Sequence, residues 1–125
     1  MIIKKEILEQ LSNELLLPFT GMEQDWDLEM SNYNRIDDFI NYYKQNDLPD
    51  EKKLALMSLI LASYDDFLNK NDLKYDDKWD EIKLELKSKK IIFDNLINYW
   101  SLSNETDRDD IFRITPLIRE IKYNS

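Results

Sequence analysis

Apolar residues along this chain recur at helical rather than alternating spacing. The strongest run is 54–68, LALMSLILASYDDFL, in which Leu54, Met57, Leu61, Tyr64 and Leu68 form one stripe. Leu56, Leu59, Ile60 and Phe67 widen it, and Ala55 and Ala62 leave little polar face before Tyr64. A helix apolar almost all round is buried on several sides. The run is too short to cross a bilayer, which takes about 20 apolar residues, and it ends abruptly in Asp65-Asp66. The pattern predicts a central helix over about 50–69.

The other segments follow the same period. Ile3, Ile7, Leu8, Leu11, Leu15 and Leu16 predict a first helix that Pro18 ends, because the residue before a proline avoids the helical region. From Phe19 to Asn34 acids alternate with Trp26, Leu28 and Met30. No second strand is visible to pair with this stretch, so it reads as a loop with one helical turn. Asn34 reads as an N-cap for a helix that turns Ile36, Phe39, Ile40 and Tyr43 inward and Asp37, Asp38, Asn41 and Lys44 outward. Gln45 to Asp47 is a turn, and Asp47 or Asp50 then caps the central helix, with Pro49 near its first turn.

Beyond the polar turn Asn69 to Tyr75, a helix starting near Asp76 buries Trp79, Ile82 and Leu86 and bends near Ser88. Ile91, Ile92, Leu96, Ile97 and Trp100 continue or restart the period, and Ser101 to Asn104 turns the chain again. The stretch Thr106 to Arg113 leads into Thr115-Pro116, a cap with proline at the first position of a closing helix that ends near Lys122. No repeat appears. The expected fold is all-α: one domain over 1–125, a compact bundle of about five to seven helices around the central apolar one.

Composition narrows the chemistry. One Gly rules out Gly-dependent phosphate loops and argues against a turn-rich sandwich or barrel. The absence of Cys and His removes disulfides, ordinary zinc sites, Ser-His and Cys-His nucleophile pairs and the near-neutral proton shuttle. The N-terminal MIIKKEILEQL mixes acids and bases without a long apolar run, so it does not read as a secretory signal, and the expected location is cytoplasmic.

Net charge is −9, from 26 acidic and 17 basic residues. That sign repels nucleic-acid phosphates and anionic lipid and favours basic partners, or else serves solubility alone. Thr20 to Glu51 holds nine acids against two bases, and Asp65 to Glu81 seven against three. Ile82 to Asn104 is net +2, with Lys83, Lys87, Lys89 and Lys90 close together. That lysine cluster is small and broken by Glu85, and the tyrosines are not interleaved with Arg or Lys as a base-stacking platform requires.

Carboxylate doublets occur at Asp37-Asp38, Asp65-Asp66, Asp76-Asp77 and Asp109-Asp110. Adjacent helical residues point about 100° apart, so a doublet does not converge on one ion. Asp25, Asp27 and Glu29 alternate as in a calcium loop, but the required Gly and terminal Glu are out of place. Nothing here reads as an active site, and no cofactor is expected. Asp65-Asp66, read as the end of the apolar helix, oppose the helix dipole there and mark either a solvated end or a binding site.

Three stretches taken together, Gln24 to Glu29 (QDWDLE), Asn34 to Ile36 (NRI) and Leu56 to Phe67 (LMSLILASYDDF), resemble the immunity proteins of bacterial contact-dependent growth inhibition systems, found beside polymorphic toxins. The resemblance covers the first half of the chain. It implies a cytoplasmic inhibitor that binds a C-terminal toxin domain delivered by neighbouring cells, often a basic nuclease and especially an RNase. An inhibitor has no catalytic residues to carry over. With the acidic balance, it marks Asp25, Trp26, Asp27, Glu29, Asp37, Asp38, Asp65 and Asp66 as toxin-binding candidates. Trp26 would be an anchor beside carboxylates or a plug in the core. The competing expectation is a helical adaptor that meets another copy of itself.

Overall fold

The computed structural model describes residues 3–107 and 110–123. Among the described residues it is all-α, with seven α-helices, a 3-10 turn at Tyr33–Arg35 and no strand. The chain divides into two compact units, Met1–Phe67 and Leu68–Ser125, within the span expected to be one domain.

In the first unit, α1 (Lys5–Leu15) buries Leu11, Ser12 and Leu15. It ends on Leu16, which adopts the left-handed conformation at φ 57° and ψ 49°, and the Leu17 amide reaches back to the Ser12 carbonyl at 2.8 Å. Leu16 is therefore not part of the inward stripe: its side chain is 84% exposed. The left-handed backbone costs an L-residue about 1–2 kcal/mol, which is why glycine usually holds this position.

Next come α2 (Trp26–Met30), the 3-10 turn Tyr33–Arg35 and α3 (Ile36–Gln45). The cap lies two residues earlier than the sequence suggests. Asn32, extended at φ −153°, accepts the Asn34 amide at 2.9 Å, so Asn34 sits inside the turn. Ile36, Phe39 and Ile40 point inward as expected.

The central helix α4 (Asp50–Asn71) outlasts its predicted end by two residues. Its first turn closes from the Lys53 amide to the Pro49 carbonyl at 3.0 Å, which puts Pro49 in the cap position and Asp50 in the first helical one. Every residue from Ala55 to Asp65 is buried, so the helix has no solvated face over three turns. Asp65-Asp66 therefore lie well before the C-terminus, and Lys70 occupies the last turn. The helix instead ends through Asp72 at φ 51° and a 2.9 Å bond from the Leu73 amide to the Leu68 carbonyl.

Side chains tie the first unit together. Glu14 accepts from the Tyr42 hydroxyl and from Lys52 Nζ at 3.2 Å, joining α1, α3 and α4. Burial, with the Glu14 carboxylate beside it, holds the Tyr42 hydroxyl up at about 12.

The second unit contains α5 (Lys78–Ser88), α6 (Lys90–Ser101) and α7 (Thr115–Tyr123), each touching the other two. Trp79, Ile82 and Leu86 are buried as expected. The bend expected near Ser88 is a full break, at Lys89 with φ −126° and ψ 42°. Restarting at Lys90 turns Phe93, Leu96, Ile97 and Trp100 inward and leaves Ile91 97% exposed. Two residues are about 200° of helix, so Ile91 and Phe93 cannot both face the core.

Thr115 caps differently from the expectation. Its buried hydroxyl accepts the Phe112 amide at 3.1 Å and donates to the Trp100 carbonyl at 2.8 Å. The first turn of α7 closes on Ile114, by the Ile118 amide at 2.9 Å. Arg119 closes the other end of α6: its Nε donates to the Ser101 carbonyl at 2.7 Å, and its Nη2 to those of Leu102 and Glu105.

Candidate protein-binding surface

All eight toxin-binding candidates fall in the first unit. That unit also carries nearly all the net charge. Residues 1–67 hold 14 acids and 6 bases, net −8, while residues 68–125 hold 12 and 11, net −1. The boundary therefore separates an acidic half from a nearly neutral one. The lysine-rich stretch lies in the neutral half, where Lys89 pairs with Glu85 at 3.0 Å and Lys90 donates to the Ile121 carbonyl at 2.9 Å.

Two of the eight do not present their side chains at the surface. Trp26 is the plug: it is 6% exposed, and its Nε1 donates to the buried Ser12 hydroxyl at 2.9 Å. An indole whose polar atom is already bonded inside the core is not an external anchor. Asp65 is also inside, at 7% exposed, because it lies on the all-buried span of α4.

The other six are reachable by a partner. Asp25, Glu29, Asp37, Asp38 and Asp66 are exposed, and Asp27 is half-buried. Burial raises the Asp27 carboxyl above its ordinary value, against two backbone amides that lower it. Glu29 reaches back to the Asp25 amide at 2.9 Å, a capping interaction that fixes both acids at the start of α2. The Ser31 hydroxyl donates to Asp66 at 2.7 Å, and the Asn32 amide to Ser63 Oγ at 3.0 Å. These two bonds pin the corner after α2 onto α4, with Asp66 held at Ser31. Asp37 and Asp38 open α3 just beyond that corner, with Asp38 paired to Arg35 at 3.2 Å.

One organised carboxylate escapes the sequence pattern. Glu23 accepts from the Thr20 amide at 2.9 Å, the Thr20 hydroxyl at 2.6 Å and the Met22 amide at 2.9 Å. The Thr20 hydroxyl first, and then its amide, pull the Glu23 carboxyl down to about 2. The spacing Thr-x-x-Glu is the signal that could have found it. Gly21, between the two, has φ 91°, a backbone conformation that suits glycine.

Among the described residues no three acidic groups converge to hold a metal ion, and no helix is long and apolar enough to cross a membrane. Of the Asp109-Asp110 doublet, Asp109 lies outside the described residues.

The second unit contains an open cavity of about 830 Å³, walled by Tyr75, Phe112, Leu117 and Tyr123, with Arg113 and Arg119 at its edge. Both guanidinium groups hold the chain in place. Arg113 bonds the Leu73 carbonyl at 3.3 Å and Asp72 at 2.8 Å, and Arg119 closes α6 as described. Of the cavity's cations, the two arginines thus have donors that serve the fold. Compared with known protein families, curated proteins and solved structures, the chain has no significant match.

Proposed function

We propose that this chain is an immunity protein that neutralises a basic toxin domain, of the nuclease class, inside the cell that makes it. The observation that carries the reading is the segregation of charge: net −8 in the first unit against −1 in the second. Asp25, Glu29, Asp37, Asp38 and Asp66 are exposed carboxylates of that unit, Asp27 is half-buried, and Ser31 holds Asp66 at the corner after α2. A nuclease holds cationic side chains where substrate phosphates lie, and such a carboxylate group offers them a competing partner. Fields of that sign steer encounter and fix orientation.

The test uses the C-terminal domain encoded by the adjacent upstream reading frame, purified and titrated with this chain. Binding that blocks the domain's nuclease activity is the expected result. Combining Asp25→Lys with Asp37→Lys lowers the association rate on the order of tenfold at low salt. Wild-type protein that neither binds nor inhibits that domain overturns the reading.

A second reading, a self-associating helical module, is favoured by Leu84 and Ile91, large apolar side chains that stand exposed on α5 and α6. Sedimentation over a range of concentrations separates the two. A concentration-dependent dimer that Ile91→Ser abolishes supports self-association, and a monomer throughout removes it.

A further inference from the structure

We infer that Leu16 and Met22 are apolar anchors for the partner of the acidic unit, a basic protein surface with apolar pockets to receive them. The inference rests on the toxin-binding reading. Leu16 is in an unfavourable place on two counts. Its backbone is left-handed, where glycine or asparagine is the usual choice, and its side chain is 84% exposed. Leu102 makes the contrast. It too has a positive φ, 45°, but it is half-buried, so packing compensates its backbone. Among the described residues Leu16 has no such packing, its side chain being 84% exposed. The left-handed backbone closes α1, but that closure needs no leucine side chain, and strain accepted with an exposed leucine is a pointer to function.

Met22 belongs to the same segment and is 85% exposed. It is not on a fraying loop: its amide is held by Glu23 Oε1 at 2.9 Å and by Thr20 Oγ1 at 3.2 Å. Leu16 and Met22 are the most exposed large apolar residues of the first unit among those described. They bracket a stretch built against α1, where Glu9, Asn13, Phe19, Thr20 and Gly21 surround a small cavity of about 240 Å³. Lys5 is the cation at that spot, its Nζ 3.4 Å from where a Cβ on Gly21 would lie. Glu9 and the ionised Glu23 outnumber it. Apolar side chains on an ordered segment that carries Glu23 beside Met22 and lies against Glu9 fit the composition of interface hot spots, with the acidic charge setting the sign of the partner.

The experiment measures thermal stability and affinity together, with the purified C-terminal domain of the adjacent upstream reading frame as the probe. Leu16→Gly relieves the left-handed backbone, so its Tm rises by about 3–5 °C, while its affinity falls at least about tenfold, mainly through faster dissociation. Met22→Ser leaves Tm unchanged and lowers affinity in the same direction. A Leu16→Gly protein with raised Tm and wild-type affinity overturns the inference and leaves the toxin-binding reading standing. A lowered Tm makes Leu16 a residue of the fold and also overturns it. Wild-type protein that fails to bind the domain ends both, and loss of self-association in place of toxin binding assigns the anchors to a second copy and overturns the inference.

Discussion

Glu23 holds its charge through three local donors, and the consequence is a pH dependence of definite sign. Its folded value, about 2, lies below the ordinary 4.5. Ionised Glu23 therefore contributes stability that is fully present above about 4.5 and is lost as pH falls toward about 2. Urea titrations of wild type and Glu23→Gln across that window are expected to show a stability difference that shrinks with acidity. A difference that stays constant from neutral pH down to about 2 contradicts the assignment. Trp26 gives a second prediction at this scale. Trp26→Phe keeps an aromatic side chain but loses the indole N–H and part of its volume, stranding the buried Ser12 hydroxyl, and the lost bond alone costs about 1–3 kcal/mol. Adding Ser12→Ala should recover part of that loss, because both partners are then gone. The tryptophan was legible in the sequence as a large apolar residue among acids. Its role was not, because that role depends on a hydroxyl 14 positions earlier on a different helix.

At the scale of elements, apolar periodicity located the helices well and their ends less well. Phe39, Leu61, Ile82 and Trp100 lie inside as their spacing predicts. The ends depend on partners that spacing does not reveal. Asn32 caps the turn that leads into α3, where spacing points to Asn34 as the helix cap, and Lys89 interrupts a period that could have run on unbroken. The end of α6 is closed by Arg119, 18 positions beyond the first carbonyl it caps. Arg119→Met should therefore destabilise the protein by about 2 kcal/mol, since three carbonyls lose a charged donor. Arg119→Lys should recover only part of it, because an ammonium group cannot reproduce the planar fork. Equilibrium denaturation measures both, and a loss below about 0.5 kcal/mol for the methionine variant would mean that water serves those carbonyls equally well.

Over the whole chain, the acidic balance was visible as a total and as local runs, but its division was not. The net −8 of the first unit emerges only when the boundary at Phe67 is known. The tie between Asp66 and the corner after α2 depends on Ser31, 35 positions away. Long-range attraction from such a half is screened by salt, with a Debye length of about 10 Å at 0.1 M. Association with the proposed basic partner domain should accordingly slow on the order of tenfold between low and high ionic strength, while dissociation changes little. Stopped-flow mixing over a salt series measures this, and a salt-independent rate would show that the carboxylates do not guide the encounter.

The placement of the three indoles has a practical consequence. Trp26 lies in the first unit and Trp79 and Trp100 in the second, all of them buried. Their fluorescence emission should shift to longer wavelength as each is wetted. Proteins keeping Trp26 alone, or Trp100 alone, would then report separately on the melting of each half. Coincident curves would mean one cooperative transition, and staggered curves would give each half its own midpoint.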